Sequence, residues 1–224
     1  MNILHTADLH LRAENDERWE ALAAVVEIGK KQKIDALVIA GDLFDSARDA
    51  GRLYDRLRPV FEKAGFPVLI LPGNHDHDSY PAGIFLGDDV HVLSSLENPF
   101  EIGAVRLWGL PFVPRERRSI LARLHSIREH LTAGKTNILI YHGELTDKIF
   151  ERSDLGDEGA ERYMPTRLSY FADLNIQYVL AGHFHTSFDI FKFSDSGYFV
   201  YPGSPVSVTK TETGRRAANL FEAG

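Results

Sequence analysis

The chain has 224 residues, 44% hydrophobic and 25% charged, with a formal net charge of −7. This composition fits one soluble α/β domain with a sizeable core, and its acidity argues against a protein that grips nucleic acid through backbone phosphates alone. There is no cysteine, which excludes disulfides and thiolate-held zinc or iron–sulfur centres and fits a reducing compartment.

Met1 leads straight into NILHTADLH with no basic or long apolar leader, and no apolar run reaches membrane-spanning length, so a cytoplasmic protein is expected. NILHTAD (2–8) is a short apolar run ending in a carboxylate. Residues 18–33 carry Trp19, Leu22, Ala23 and Val26 at helical spacing, with a Lys-rich last turn that suits the helix dipole. Ala36–Ala40 is a buried strand that breaks at Gly41. Residues 50–65 read as a helix kinked at Pro59 and stopped by Gly65. PVLILPG (67–73) is again an apolar strand. This βαβαβ order predicts a parallel sheet covered on both faces.

Short strands follow at 89–95, 99–103 and 104–112, then an amphipathic helix at 115–134. TNILIYHGE (136–144) is a strand ending in His-Gly. Residues 145–163 are the most polar, loop-like stretch and read as a mobile edge of a site. A helix is predicted over 164–175, with Pro165 near its start, and a strand over 176–185. SFDIFKF, YFVYPGS, VSVTKTE and AANLFEA predict an antiparallel last third with Asp-Ser-Gly, Pro-Gly and Thr-Gly turns.

Five strands end in similar chemistry: Asp8-Leu9-His10, Gly41-Asp42-Leu43-Phe44-Asp45, Gly73-Asn74-His75-Asp76, His142-Gly143 and Gly182-His183-Phe184-His185. Ligands in α/β sheets bind beyond the carboxyl ends of strands, so these corners can converge on one place. Each corner alone has a bland reading; Asn-His-Asp, for example, is explained by an Asx turn. Their conjunction is not bland, because five of the ten histidines fall in these corners and each follows an apolar strand.

Asp8, His10, Asp42, Asn74, His142, His183 and His185 form an imidazole, carboxylate and amide donor set suited to manganese, iron or zinc. Seven protein ligands are too many for one catalytic ion. They suit two ions roughly 3.5–4 Å apart that share a carboxylate, the clamp used for displacement at phosphorus. Of the other histidines, His125, His130 and His91 read as surface or strand residues and His5 as a core or supporting residue. His77 reads either as loop polarity or as a substrate contact.

In this order the five motifs D-x-H, G-D-x-x-D, G-N-H-D, H-G and G-H-x-H resemble those of the calcineurin-like metallophosphoesterases. The match runs from residue 8 to 185, and YPGSPVSVTKTETG is similar to the closing strands of that fold. ILHTADLHL, VIAGDLFD, VLILPGNHD and VLAGHFH…YPGSP most resemble the SbcD-type repair nucleases. The chain departs from that pattern in having His10-Leu11-Arg12 where the family often has His-Leu-Gly.

The resemblance implies a four-layer α-β-β-α sandwich of two mixed sheets with helices on the outer faces. One phosphoesterase domain over residues 1–224 is expected; nucleases of this type usually carry a capping domain and an ATPase-binding tail as well, and neither is evident in this sequence. One ion would be held by Asp8, His10 and His185, the other by Asn74, His142 and His183, with Asp42 between them. His75 would face the leaving group as general acid or transition-state stabiliser, Asp76 would orient its ring, and Asp45 would support the ligands from behind.

The function so implied is a metal-dependent phosphodiester hydrolase, a DNA exonuclease or endonuclease of repair type using hydroxide generated by two Mn2+ ions, with Fe2+ or Zn2+ as other candidates. Its partners would be DNA, an SbcC-type ATPase subunit and a second copy in a homodimer, with no membrane. A phosphodiesterase or phosphatase for nucleotides or other small esters is the alternative on the same site. The basic stretch 113–130 reads either as a DNA-facing helix or as a solvated amphipathic face.

Overall fold

A computed structural model of the chain describes residues 1–14, 16–113, 117–147, 164–186, 188–210 and 212–223. Most of the polar stretch 145–163, and part of the basic stretch 113–130, lie outside the described residues. In chain order the elements are β1 (Asn2–Thr6), α1 (Glu17–Gln32), β2 (Ala36–Ile39), α2 (Ala47–Glu62), β3 (Val68–Ile70), β4 (Val90–Val92), β5 (Phe100–Ile102) and β6 (Val105–Leu110). Then come α3 (Arg117–Ser126), β7 (Thr136–His142), β8 (Tyr178–Gly182), β9 (Asp189–Lys192), β10 (Tyr198–Tyr201) and β11 (Asn219–Glu222).

Two mixed sheets result. The first has the order β11-β1-β2-β3-β4 and the second β5-β6-β7-β8-β10-β9. β1 to β4 run parallel, with β11 antiparallel to β1 at one edge. In the second sheet β6, β7, β8 and β10 are parallel, while β5 and β9 are antiparallel edges.

Side-chain alternation along each strand builds the layers. Leu4, Leu37, Ile39, Val68 and Ile70 point outward from the first sheet onto Leu22, Val26, Leu53 and Leu57 of α1 and α2. Ile3, Val38 and Leu69 point inward and meet Leu107, Ile138, Ile140 and Leu180 of the second sheet. Leu139, Tyr141 and Val179 face out from the second sheet onto Ile120 and Leu124 of α3. Each fully buried Leu or Ile contributes roughly 1.5–3 kcal/mol by leaving water. The expected order of layers, helix-sheet-sheet-helix, is what the packing shows. The first sheet is therefore covered by helices on one face and by the other sheet on its second face.

Local chemistry sets the helix limits. Asp16 caps α1 through the Arg18 N–H, and Lys33 closes it in the left-handed conformation. α2 begins three residues before the pattern predicts, because Ser46 caps it by accepting from the Asp49 N–H, and Pro59 is tolerated inside it.

The predicted helix 115–134 is shorter, ending at Ser126 and followed by a 3-10 turn at Arg128–His130. The His130 carbonyl accepts from Arg106, and the Leu131 and Thr132 carbonyls accept from Asn175 instead of from backbone. The predicted helix 164–175 reduces to a 3-10 turn at Leu168–Tyr170. Its start is drawn into an extended bridge, with Thr166 N–H donating to the Glu144 carbonyl at 2.7 Å and Thr146 N–H to the Thr166 carbonyl at 3.0 Å.

The antiparallel last third also needs correction: β10 joins β8 in parallel and β11 crosses to the first sheet. The described part of VSVTKTE forms no strand. It curls on itself, with the Val208 N–H donating to Glu212 Oε2 at 2.8 Å and Ser207 Oγ to the Glu212 carbonyl at 2.8 Å.

Candidate metal centre

The carboxyl ends of β1, β2 and β3 in one sheet meet those of β7 and β8 in the other. The chain beyond β1 runs beside the chain beyond β2: Asp8 N–H donates to the Gly41 carbonyl at 3.1 Å and His10 N–H to the Asp42 carbonyl at 2.9 Å. The two sheets are tied here by His142 Nδ1, 2.8 Å from the Ala40 carbonyl, and by His183 N–H, which reaches the Asp8 carboxylate at 3.0 Å.

Asp8, His10, Asp42 and His183 all have positive φ, at 58°, 46°, 52° and 100°. Among the described residues the only other non-glycine with positive φ is Lys33, which caps α1. Such conformations cost about 1–3 kcal/mol each and gather where function requires them. Two glycines make the close approach possible. A Cβ on Gly41 would lie 1.9 Å from His142 Nδ1, and one on Gly73 would lie 2.2 Å from Asp42 Oδ1.

The structure brings all seven expected ligands together. His10 Nε2 lies 3.2 Å from His185 Nε2, which is 3.7 Å from Asp8 Oδ1. Asn74 Oδ1 lies 2.8 Å from His142 Nε2 and 3.1 Å from His183 Nδ1. Asp42 Oδ2 stands between these groups, 3.7 Å from His10 Nε2 and 3.3 Å from His142 Nε2. Donor atoms of Asp8, His10 and His185 lie within 4.8 Å of one another, as do those of Asp8, Asp42 and His142. His75 forms a third such group with His10 and Asp42.

The electrostatics favour a cation. Asp8, Asp42 and His142 are buried. Burial alone would raise the Asp42 carboxyl, but His142, His10 and His75 hold it far below the usual carboxylate range. Burial also opposes charge on His142, yet Asp42 outweighs it and raises the imidazole. A pocket that draws protons onto buried imidazoles attracts divalent ions by the same field.

Behind the four expected imidazole ligands, the nitrogens facing away from the shared space lie near oxygen atoms, in hydrogen-bond geometry for His142 and His185 and at ion-pair distance only for His10 and His183. His142 Nδ1 has the Ala40 carbonyl at 2.8 Å, His10 Nδ1 has Asp45 Oδ1 at 3.5 Å, His183 Nε2 has Glu144 Oε1 at 2.9 Å and His185 Nδ1 has Glu212 Oε1 at 3.0 Å. The donor set therefore fits divalent ions.

His75 and Asp76 separate. His75 N–H donates to Asp42 Oδ1 at 2.9 Å, and its Nδ1 lies 3.3 Å from the Asp45 carbonyl. Asp76, expected to orient the His75 ring, braces the loop instead. Its carboxylate accepts from Gly73 N–H at 2.7 Å, Phe44 N–H at 3.2 Å and the Tyr80 hydroxyl at 2.7 Å. Burial and the nearby Asp42 charge push it up to about 6. Asp76 makes no Asx turn through these bonds: it holds the N–H of Gly73, three residues before it, whereas an Asx turn takes an N–H two residues on. Asp45 sits behind His10, as expected, and pairs with Arg12 at 3.0 Å and 3.2 Å. His77 Nδ1 lies 3.2 Å from the Asn74 carbonyl.

Three residues were not foreseen. Glu144 follows directly on the His142-Gly143 strand end, so its position was a signal. Glu212 and Ser204 lie within YPGSPVSVTKTETG, a stretch that resembles the family's closing strands, but nothing in its spacing marked either side chain as part of the site. Ser204 Oγ lies 2.8 Å from the Asp8 carbonyl oxygen, and Ser204 N–H donates to the His185 carbonyl at 3.1 Å.

Residues 1–187 match the calcineurin-like phosphoesterase family, and the chain belongs to that family of binuclear metal-dependent phosphoesterases. Its relatives include the DNA double-strand break repair protein Mre11 of Sulfurisphaera tokodaii, 27% identical over 223 residues, covering 91% of this chain and 53% of that protein. The D component of nuclease SbcCD from Escherichia coli is 27% identical over 256 residues, covering 96% of this chain and 63% of that component. The chain thus spans between 53% and 63% of the length of these two relatives. Among solved structures, a dimetal phosphatase from Danio rerio superposes with a TM-score of 0.64 at 12% identity, covering 98% of this chain and 91% of that one. TT1561 of Thermus thermophilus does so with a TM-score of 0.63 at 16% identity, covering 91% and 89%. These two likenesses concern the fold.

Proposed function

We propose that this chain hydrolyses phosphodiester bonds of DNA at a two-ion centre, as the nuclease subunit of a repair complex. The observation that carries the two-ion reading is the position of Asp42 Oδ2, 3.7 Å from His10 Nε2 and 3.3 Å from His142 Nε2. Asp8, His10 and His185 would hold one ion and Asn74, His142 and His183 the other, with Asp42 placed to serve both. The oxygen and imidazole donors favour Mn2+, with Fe2+ or Zn2+ compatible. Such ions, when bound, lower the pKa of water and clamp phosphoryl oxygens.

The remaining work falls to the chain. The ligand side chains would hold the ions in fixed positions, against which the phosphate would be oriented with the attacking water in line with the leaving oxygen. His75, at the edge of the centre with its ring centroid 4.7 Å from that of His10, carries a proton toward the departing oxygen. A new P–O bond forms from water, the ester P–O bond breaks, and the alcohol leaves with a proton. Asp76 supports this step through the Gly73 and Phe44 backbone rather than through the His75 ring.

The DNA assignment draws support from the two relatives, one a DNA double-strand break repair protein and the other a nuclease subunit, and from the motifs. An SbcC-type ATPase partner and a homodimer belong to the same proposal. So does one phosphoesterase domain over residues 1–224. A cytoplasmic setting is supported by the lack of cysteine. Among the described residues no helix is long and apolar enough to cross a membrane. The net charge of −7 favours a second reading, a phosphodiesterase or phosphatase for small esters.

One panel separates the two readings: duplex DNA with ends, single-stranded DNA, cyclic nucleotides and an aryl phosphodiester, each with added Mn2+. Cleavage of DNA is expected. Activity confined to small esters overturns the nuclease assignment.

A further inference from the structure

Two carboxylates stand behind the centre without facing the space between the ligands. Glu144, 2% exposed, follows β7 and places Oε1 2.9 Å from His183 Nε2. That contact falls outside hydrogen-bond angles, and neither of its side-chain oxygens has another hydrogen-bond partner among the described residues. A buried carboxylate so placed is costly unless it serves a cation or a ring N–H. Glu212, 6% exposed, places Oε1 3.0 Å from His185 Nδ1. It is held by the Val208 N–H at 2.8 Å and the Thr209 hydroxyl at 3.1 Å. Arg216 Nη1 donates to the His185 carbonyl at 2.8 Å, fixing the same corner from its backbone.

The two histidines thus turn opposite nitrogens to their glutamates. Glu144 lies beside Nε2 of His183 and leaves Nδ1 toward Asn74, 3.1 Å away. Glu212 takes Nδ1 of His185 and leaves Nε2 toward His10 and Asp8, at 3.2 Å and 3.7 Å. The rings are two residues apart on one strand end, yet they present different nitrogens to different ligand groups.

We infer that Glu144 and Glu212 are positioning residues, one for each ion: Glu144 sets the ring of His183 for the ion shared with Asn74 and His142, and Glu212 sets the ring of His185 for the ion shared with Asp8 and His10. This rests on the two-ion reading of the seven ligands. The pair gives each ion its own adjustable affinity, although Asp42 joins them. Neither glutamate touches substrate.

The test is a Mn2+ titration of metal-free protein by calorimetry, with manganese spin resonance to count ions, and with no substrate present. Wild type takes two ions. Glu212→Gln weakens one binding step by roughly 10–100-fold and Glu144→Gln weakens the other by a similar factor. Assignment comes from backgrounds that keep one ion. With Asn74→Ala, only Glu212→Gln shifts the surviving step; with His10→Ala, only Glu144→Gln does. The conservative changes Glu144→Asp and Glu212→Asp recover part of the loss. Because Glu144 is buried, Glu144→Met is run beside Glu144→Gln, and melting of the metal-free variants checks that they fold.

Two ions in wild type with both glutamates moving the same step, or with neither moving any, overturns the inference and leaves the phosphoesterase reading intact. A wild-type protein that binds fewer than two ions overturns both. Failure to cut DNA touches neither outcome, since metal alone is measured.

Discussion

The two sheets contribute unlike donors. The ends of β1, β2 and β3 supply Asp8, Asp42 and Asn74, every oxygen ligand in the candidate set, together with His10. The ends of β7 and β8 supply imidazoles alone: His142, His183 and His185. The proposed ion pair draws on both sheets for each ion, so the negative half of the centre and the neutral half are joined through metal. This division also matches the outer layers. The first sheet carries two helices of 16 residues, and the second carries α3, of 10 residues, with 3-10 turns. The oxygen half rests on the more regular scaffold, and the imidazole half is steadied by loop residues such as Ser204 and Glu212.

The comparison breaks most completely at Asp42. Asp42→Ala removes the carboxylate serving both groups, and the expected outcome is loss of at least one ion by metal analysis and loss of activity. His75→Ala leaves the donor groups of both sheets in place. It should keep both ions and lower kcat by roughly 10²–10⁴-fold; loss of both ions in that variant contradicts the role given to His75.

Chelation tests whether metal joins the sheets. At metal about 100-fold above its dissociation constant, one ion adds about 2.7 kcal/mol. For a domain of this size that corresponds to a melting temperature lower by roughly 5–10 °C after removal. An unchanged melting curve contradicts a cross-sheet metal bridge.

The smallest effect concerns His5, wholly buried on β1 between the sheets. Burial pushes its imidazole down to about 3, with the Ala181 backbone only partly opposing. Below pH 6.5 the unfolded chain binds this proton and the folded chain does not, so stability falls as pH falls toward 3. The slope is about 1.4 kcal/mol per pH unit, or about 2 kcal/mol between pH 7 and 5. Urea unfolding of His5→Leu should lack that component; equal slopes in the two proteins would remove His5 from the acid response.

Legibility followed the same division. β1 to β3 and their helices were readable because continuous apolar runs, caps and breakers agree with the tertiary structure. The five ligand corners were readable because each ends such a run. What failed was set by distant partners. Thr166 is drawn to Glu144 across a bridge and loses its helix, and the carbonyls of 130–132 are taken by Arg106 and Asn175. VSVTKTE has the alternation of a strand, but Glu212 collects its backbone and turns it toward His185. Asp76 lies beside His75 in sequence, and adjacency said nothing about which way its carboxylate turns.

The left-handed corners at Asp8, His10, Asp42 and His183 have a consequence for motion. Glycine would relieve each of them but would carry no donor, so the chain keeps strained residues that only their neighbours restrain. Those restraints are mutual: Asp8 on Gly41, His10 on Asp42, His183 on the Asp8 carboxylate. Amide hydrogen exchange in the metal-free protein should therefore show these three N–H groups opening together, as a single local unit spanning both sheets. The centre would then assemble and come apart as one cooperative joint.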